Sequence, residues 1–228
     1  MIVPQTEIII PKDGAELLPR RRALRTSIHL LTCAGREASL AETLASWAAC
    51  DWGAESPRVF YNGDPPATHG DDAAGRDAGQ RVFAGFVRIL KDALAGDADY
   101  FLLLEDDIAF AKNIRASIES WPPLLEGKIG CAHFYDPGLP TTAHCPEQRY
   151  KLADSWGVFG SQARLFTREC AAWLLPRYTL GAEHHDQQTA RLVALRWPLY
   201  YHAPSLVQHT GRVSTWGAGD FHFARDFA

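Results

Sequence analysis

A run of apolar residues that ends in three acids constrains this chain more than any other stretch. Residues 100–104 read Tyr-Phe-Leu-Leu-Leu, and Glu105, Asp106 and Asp107 follow without a break. An apolar run of this length is typical of a strand with both faces covered, as in a parallel sheet between helices. The acids therefore fall at the carboxyl end of a buried strand, which is the edge where open α/β sheets bind ligands.

The three adjacent carboxylates repel one another, and burying them without compensation is costly. A divalent cation removes that cost, and Mg²⁺ or Mn²⁺ prefers oxygen ligands of this kind. The alternative interpretation is an exposed acidic turn after a core strand. We favour a metal site because the acids stand at the end of the strand.

Length and composition predict one soluble domain over residues 1–228, with an N-terminal arm over 1–25 and a C-terminal tail or lid over 211–228. The net charge of −4 gives no global basic field that would attract nucleic acid or membrane. Five cysteines without the close pairing of zinc sites fit a reducing compartment. No stretch reaches transmembrane length and no signal peptide pattern opens the chain, so we expect a cytoplasmic protein without a membrane span.

The first half of the chain alternates strands with helices. Thr26–Thr32 predicts a buried strand, and the turn over 33–36 leads into a helix whose start is a natural anion site. Arg36 is placed to reach a base or a diphosphate there. A second strand over 58–62 has Asp64 beyond its carboxyl end. This order predicts an α/β fold, Rossmann-like, with a mixed, mostly parallel sheet flanked by helices.

The second half predicts shorter elements. We expect a strand over 129–135, a loop over 136–150, and a strand or hairpin over 156–166 that contains Trp156. Residues 181–186 then open a helix that runs to Arg196, and two short strands over 199–202 and 206–209 flank Pro204.

Four features stand in a set order along the chain: Thr32-Cys-Ala-Gly-Arg36, Leu104-Glu-Asp-Asp107, Glu183-His-His-Asp186 and Pro204-Ser-Leu-Val-Gln-His209-Thr-Gly211. This order resembles the GT-A glycosyltransferases, which transfer a sugar from a nucleotide sugar. The acidic triplet resembles their DXD motif. The LEDDI and PSLVQH-G pieces look most like the N-acetylglucosaminyltransferase IV group and related bacterial or phage enzymes.

The resemblance implies a metal site at the acidic triplet. Asp107 would bind Mn²⁺ or Mg²⁺ directly, and His209 would complete the metal shell. Asp106 and Glu105 would hold the ribose of the nucleotide or a water on the metal. The alternative for His209 is a buried, hydrogen-bonded core histidine.

The resemblance also implies the residues that surround the donor. Thr32, Arg36 and Asp64 would line the nucleotide pocket, and Trp156 would shape the sugar or acceptor pocket. Arg212 would assist the departure of the diphosphate. The alternatives are a surface charge for Arg36, a core tryptophan for Trp156 and an exposed tail charge for Arg212.

An inverting transfer needs a base for the acceptor hydroxyl. Asp186 matches the position of that base in inverting members of the family, and its place at a helix start stabilises its carboxylate. Glu183 is the rival candidate. Helix capping is the structural alternative for both residues.

The implied activity is transfer of a sugar from a nucleotide-diphosphate sugar, with UDP as the favoured nucleotide, to an acceptor hydroxyl. The acceptor stays open between a saccharide, a small molecule, a peptide and a hydroxymethylated DNA base. For a DNA acceptor, the arginines of residues 20–25 and Arg76, Arg81 and Arg88 should form a basic groove. A non-catalytic module that binds nucleotide sugars or carbohydrate is the alternative of a different class. A nucleotidyltransferase fits less well, because the turn over 33–36 has one glycine only.

Overall fold

The structure is a computed structural model that describes residues 24–62, 74–158, 160–179, 184–211 and 222–227, with the backbone alone for residues 74–79. Most of the predicted N-terminal arm and three predicted site residues, Asp64, Glu183 and Arg212, lie outside these ranges. No helix among the described residues is both long enough and apolar enough to cross a membrane.

The described residues form ten strands and six α-helices, with 3₁₀ turns over Pro146–Gln148 and Leu175–Arg177. The strands are β1 Thr26–Thr32, β2 Arg58–Tyr61, β3 Tyr100–Glu105, β4 Ile108–Phe110, β5 Cys131–His133, β6 Thr141–Cys145, β7 Tyr150–Ala153, β8 Ala163–Thr167, β9 Tyr200–His202 and β10 Val207–His209. The helices are α1 Glu37–Ala48, α2 Ala74–Ala95, α3 Ile114–Glu119, α4 Pro122–Leu125, α5 Arg168–Leu174 and α6 His185–Ala194.

Eight strands form one mixed sheet in the order β2-β1-β3-β8-β5-β9-β7-β6, and β4 pairs with β10 in a separate ribbon. Strands β1, β2, β3, β5, β6 and β9 run in one direction, whereas β7 and β8 run in the other. The prediction of a mixed, mostly parallel sheet flanked by helices is therefore confirmed.

Strand β3 lies in the interior of the sheet, between β1 and β8, and both of its faces are covered. Leu102 and Leu104 pack into a core that includes Trp47 of α1. Phe101 and Leu103 point the other way, into a core built with α2, α5 and α6. This alternation explains why the sequence of β3 is apolar at successive positions rather than at every second one.

The structure corrects two predicted segments. Residues 136–150 are not a continuous loop, because they contain β6 and a 3₁₀ turn. The strand predicted over 156–166 begins only at Ala163. Trp156 stands in the turn after β7 instead, and its side chain is 80% exposed.

Candidate functional site

Asp106 and Asp107 form the tight turn between β3 and β4, and a threonine of α1 holds its backbone. Thr43 Oγ1 lies 2.8 Å from the carbonyl oxygen of Asp106 and accepts a hydrogen bond of 3.0 Å from the amide of Ile108. The Thr43 side chain is 1% exposed. Helix α1 therefore fixes the position of the turn that carries the two carboxylates.

Thr32 at the end of β1 and Arg36 at the N-cap of α1 both bind these carboxylates. The Thr32 hydroxyl donates to Asp106 Oδ2. Arg36, at the N-cap of α1, donates from Nε to both oxygens of Asp106, at 2.8 and 2.9 Å. Its Nη2 donates to Asp107 Oδ2 at 2.6 Å. The acidic turn is thus buried against a cation of the same chain.

His209 reaches the same carboxylate from the far end of the sequence. Strand β10 pairs antiparallel with β4, and this pairing places His209 opposite Ile108. His209 Nε2 lies 3.2 Å from Asp107 Oδ2. The amide of Thr210 donates to the carbonyl oxygen of Asp107 at 2.8 Å, which locks the chain after β10 onto the acidic turn.

Gly211 leaves space that a side chain would fill. A Cβ at this position would lie 2.4 Å from Asp107 Oδ2 and 2.8 Å from His209 Nε2. Both distances are shorter than real Cβ contacts, so any larger residue must displace one of the two groups. The glycine therefore keeps open the space directly against Asp107 and His209.

A short segment before β8 connects two further carboxylates to the site. The Ser161 hydroxyl donates to Glu105 Oε1, and the amide of Gly160 donates to Asp186 Oδ2 at 2.7 Å. Adjacent Cα atoms are about 3.8 Å apart. Glu105 at the end of β3 and Asp186 in the first turn of α6 are therefore both bound by one dipeptide.

Burial and charge act differently on the three adjacent acids Glu105, Asp106 and Asp107. Burial and the charge of Asp107 raise the pKa of Glu105 to about 7, although Ser161 acts in the other direction. Burial also raises the pKa of Asp106. Burial alone would raise the pKa of Asp107, but His209 and Arg36 hold it below its usual value. Asp107 is accordingly the acid kept ionised by its partners.

Arg164 is a buried cation that the sequence reasoning did not identify. It is 0% exposed on β8, and its Nη2 lies 2.9 Å from His185 Nε2. Its Nε and Nη1 donate no hydrogen bond to any residue that the structure describes, and its guanidinium lies over the rings of Phe86 and Phe166. Burial and Arg164 lower the pKa of His185 to about 3. The neutral imidazole therefore accepts a hydrogen bond from Arg164, which ties the start of α6 to the sheet.

The site fits a divalent cation that a ligand helps to hold. Among the described residues, no three histidine, cysteine or acidic side chains are grouped to hold a metal by themselves. Asp107 can offer an oxygen ligand and His209 a nitrogen ligand. Asp107 Oδ1 is buried, and no residue in the described part of the chain donates a hydrogen bond to it. Mg²⁺ is commonly bound by one or two carboxylates together with phosphates of the substrate, and imidazole suits transition metals. The two residues would hold such an ion when a diphosphate supplies further oxygens.

The structure brings together Thr32, Arg36, Glu105, Asp106, Asp107 and His209, and it connects Asp186 to them through Gly160 and Ser161. Trp156 is not a core residue, since its exposed ring lies against the guanidinium of Arg191 on α6. Thr43, Ser161 and Arg164 are the contributors that sequence reasoning missed. A threonine or serine within a core segment carries no pattern that distinguishes this use.

No protein-family model matches the chain, and no curated protein sequence matches it. Among solved structures, A197 from STIV is similar at 12% identity, over 82% of this chain and 85% of that one, with a TM-score of 0.46. A mutant of Drosophila β1,4-galactosyltransferase 7 in complex with manganese, UDP-Gal and xylobiose is similar at 14% identity, over 83% and 72%, with a TM-score of 0.48. Mannosyltransferase PcManGT from Pyrobaculum calidifontis, in complex with GDP-Man and Mn²⁺, is similar at 13% identity, over 79% and 57%, with a TM-score of 0.44. Likenesses at this level assign neither a family nor an activity to the chain.

Proposed function

We propose that the chain is a metal-dependent glycosyltransferase of the GT-A type. It moves a sugar from a nucleotide-diphosphate sugar, with UDP as the favoured nucleotide, to an acceptor hydroxyl, with inversion at the sugar. The observation that carries this proposal is the meeting of Asp107 and His209 at the carboxyl end of β3, where Asp107 Oδ1 is buried and has no hydrogen-bond partner among the described residues. Open α/β sheets bind their ligands at this edge.

The roles of the residues follow from the charge that the reaction develops. A divalent cation, when bound, neutralises the negative charge that grows on the leaving diphosphate. Asp107 and His209 would hold that cation. Thr32 and Arg36 stand beside Asp106 at the end of β1, where they line the pocket for the nucleotide.

Asp186 is the base in this proposal. It lies in the first turn of α6, at the positive end of the helix dipole. Its two carboxylate oxygens accept from the amides of Gly160 and Gln187, at 2.7 and 2.8 Å, which fixes their orientation. The acceptor hydroxyl loses its proton to Asp186 as its oxygen attacks the anomeric carbon and the bond to the diphosphate breaks.

A saccharide or small-molecule acceptor agrees better with the described residues than a DNA base does. Arg25, the described member of the 20–25 cluster, binds Asp97 and Asp99 before β3. These residues lie at the amino end of β3, which is about 17 Å from the acidic turn at the strand's other end. Arg88 donates to the carbonyl oxygen of Tyr61. Arg25 therefore does not belong to a basic groove beside the acidic turn.

Hydrolysis of donors across a panel of nucleotide sugars, with and without Mn²⁺, tests this function, and acceptor screening follows with the donor that is hydrolysed. We expect metal-dependent release of one nucleoside diphosphate. Asp186→Asn should reduce transfer about 10²- to 10⁴-fold while the donor still binds. Asp97→Asn is the matched control, since its side chain is 94% exposed. Full turnover by Asp186→Asn would remove the base assignment, and binding without any turnover in wild type would favour the non-catalytic module.

A further inference from the structure

The guanidinium of Arg36 occupies the acid pair that the proposed cation needs. Its Nε donates to Asp106 and its Nη2 donates to Asp107 Oδ2 at 2.6 Å. This oxygen is also the one that lies 3.2 Å from His209 Nε2. The Arg36 side chain is only 17% exposed, so the pairing is screened little by solvent.

The same pairing compensates the negative charges of Asp106 and Asp107. Two carboxylates that would repel each other are bridged by one cation, and Asp107 Oδ2 lies within hydrogen-bond distance of both Arg36 and His209. A divalent cation that binds alone must share Asp107 with a positive group at hydrogen-bond distance. Like charges this close disfavour each other strongly in a partly buried site.

We propose that Arg36 couples metal binding to nucleotide binding. Without a nucleotide, Arg36 holds Asp106 and Asp107 and excludes the divalent cation. A nucleoside diphosphate offers phosphate oxygens that a guanidinium binds in a bidentate manner. Arg36 then turns from Asp107 to the diphosphate, and Asp107 Oδ2 becomes available to the metal. This inference rests on the proposed function and assigns its order of binding.

The backbone around Arg36 permits such a movement. Arg36 follows Gly35, which has a φ of +85°, and none of the described residues beyond its chain neighbours has an atom within 4 Å of the place where a Cβ would stand. The carbonyl oxygen of Arg36 already accepts from the amide of Leu40, so α1 stays in place when the side chain turns. The change involves side-chain torsions of Arg36 and leaves the sheet as it is.

Binding of Mn²⁺ alone tests the proposal, because it needs no turnover. The free ion gives an electron paramagnetic resonance signal that is lost on binding. In wild type we expect weak binding without nucleotide and binding at least about 10-fold tighter with UDP present, a factor within the usual range of coupling between sites. Arg36→Gln should bind Mn²⁺ alone at least about 10-fold more tightly than wild type does, and UDP should add little further.

Two variants make the result specific. Arg25→Gln is the control for charge, since Arg25 also bridges two aspartates, with a side chain 44% exposed before β1. It should leave Mn²⁺ binding unchanged. Arg36→Lys keeps the charge but lacks the fork that spans both acids, so its affinity for Mn²⁺ alone should lie between wild type and Arg36→Gln. This variant also serves if Arg36→Gln does not fold.

Equal or weaker binding of Mn²⁺ by both Arg36 variants would overturn the proposal, and so would wild type that binds Mn²⁺ equally well with and without UDP. The proposed function fails by a different result. If wild type hydrolyses a donor but the Arg36 variants bind Mn²⁺ with the same affinity as wild type, only the coupling is contradicted. A chain whose Arg36→Gln variant gains Mn²⁺ affinity, but which transfers no sugar, contradicts only the enzymatic activity.

Discussion

His209 Nε2 lies 3.2 Å from Asp107 Oδ2, although 102 residues separate the two along the chain. The contact is set by the backbone, because β10 pairs with β4 and thereby places His209 opposite Ile108, next to Asp107. The amide of Thr210 binds the carbonyl oxygen of Asp107 and fixes the same register. A pair of side chains held by two independent backbone contacts is preorganised for a ligand.

Gly211→Ala should weaken binding of Mn²⁺ together with UDP about 10- to 100-fold, as losses of supporting groups around a metal commonly do. The new methyl group would stand 2.4 Å from Asp107 Oδ2 and 2.8 Å from His209 Nε2, so at least one of these two side chains must move. Titration calorimetry with UDP at saturating Mn²⁺ measures the effect.

Gly96→Ala is the control for this substitution. A Cβ at Gly96 meets only the carbonyl oxygen of Ala93, at an ordinary 3.7 Å. It should leave nucleotide binding unchanged. Unaltered binding in Gly211→Ala would mean that the space in front of Asp107 and His209 is not where the metal and the diphosphate lie.

Arg164→Met should lower kcat about 100-fold with little change in the KM for the donor. The variant keeps an apolar side chain between Phe86 and Phe166 but removes the hydrogen bond to His185. Asp186 follows His185 directly, and displacement of a catalytic group by about 1 Å costs on the order of 10² in rate. Steady-state kinetics separates the two parameters.

The same variant should also change the titration of His185. Burial and Arg164 both lower the pKa of His185 to about 3, so removal of the cation should raise it. An NMR titration of the histidine ring protons measures that rise. Arg177→Met is the control, since Arg177 is an exposed arginine whose guanidinium lies over Trp173. An unchanged His185 titration together with unchanged kcat would contradict the positioning role.

His202 makes stability fall on acidification. It is 2% exposed, and burial lowers its pKa to about 4, whereas an unfolded histidine titrates near 6.5. Between these values the unfolded state binds the proton and the folded state does not. The free energy of unfolding is therefore highest above pH 6.5 and falls as the pH is lowered. His202 accounts for a loss of about 2 kcal/mol between pH 7 and pH 5.

His202→Asn isolates this contribution from those of other groups. His202 Nδ1 lies 2.6 Å from the carbonyl oxygen of Pro204, and an asparagine amide can donate from the same position. Urea unfolding at pH 7 and pH 5 gives the free energies of unfolding. The difference between wild type and variant should shrink by about 2 kcal/mol at the lower pH. A difference that is equal at both pH values would show that His202 takes up a proton in the folded protein.

Strand β3 and the position of the acids after it were predictable, because a strand buried on both faces appears in the sequence as an uninterrupted apolar run. The sheet class followed, since strands and helices alternate in the first half of the chain. Strand β6 was not predictable, because four of its five residues are exposed and nothing in their pattern repeats at a period of two. Its pairing with β7 comes from the tertiary arrangement alone.

The partner that each side chain of the site binds could not be predicted from the sequence in every case. That His209 lies near Asp107 was expected from the order of motifs, and the structure has this contact. The roles of both residues at a metal stay predictions. Arg36 was expected to face a nucleotide, but which acid a flexible arginine binds depends on the fold around it. Arg164 is an arginine in a short apolar strand, and nothing local indicates that it is completely buried.

Electron spin echo envelope modulation of the Mn²⁺–UDP complex tests the central claim, that Asp107 and His209 bind one cation, most directly. We expect modulation from a histidine nitrogen in wild type, its loss in His209→Gln, and loss of the bound Mn²⁺ signal itself in Asp107→Asn. Asp97→Asn, an exposed carboxylate at the amino end of β3, should leave the spectrum unchanged. A Mn²⁺–UDP complex without histidine modulation, or with modulation that survives in His209→Gln, would contradict the claim.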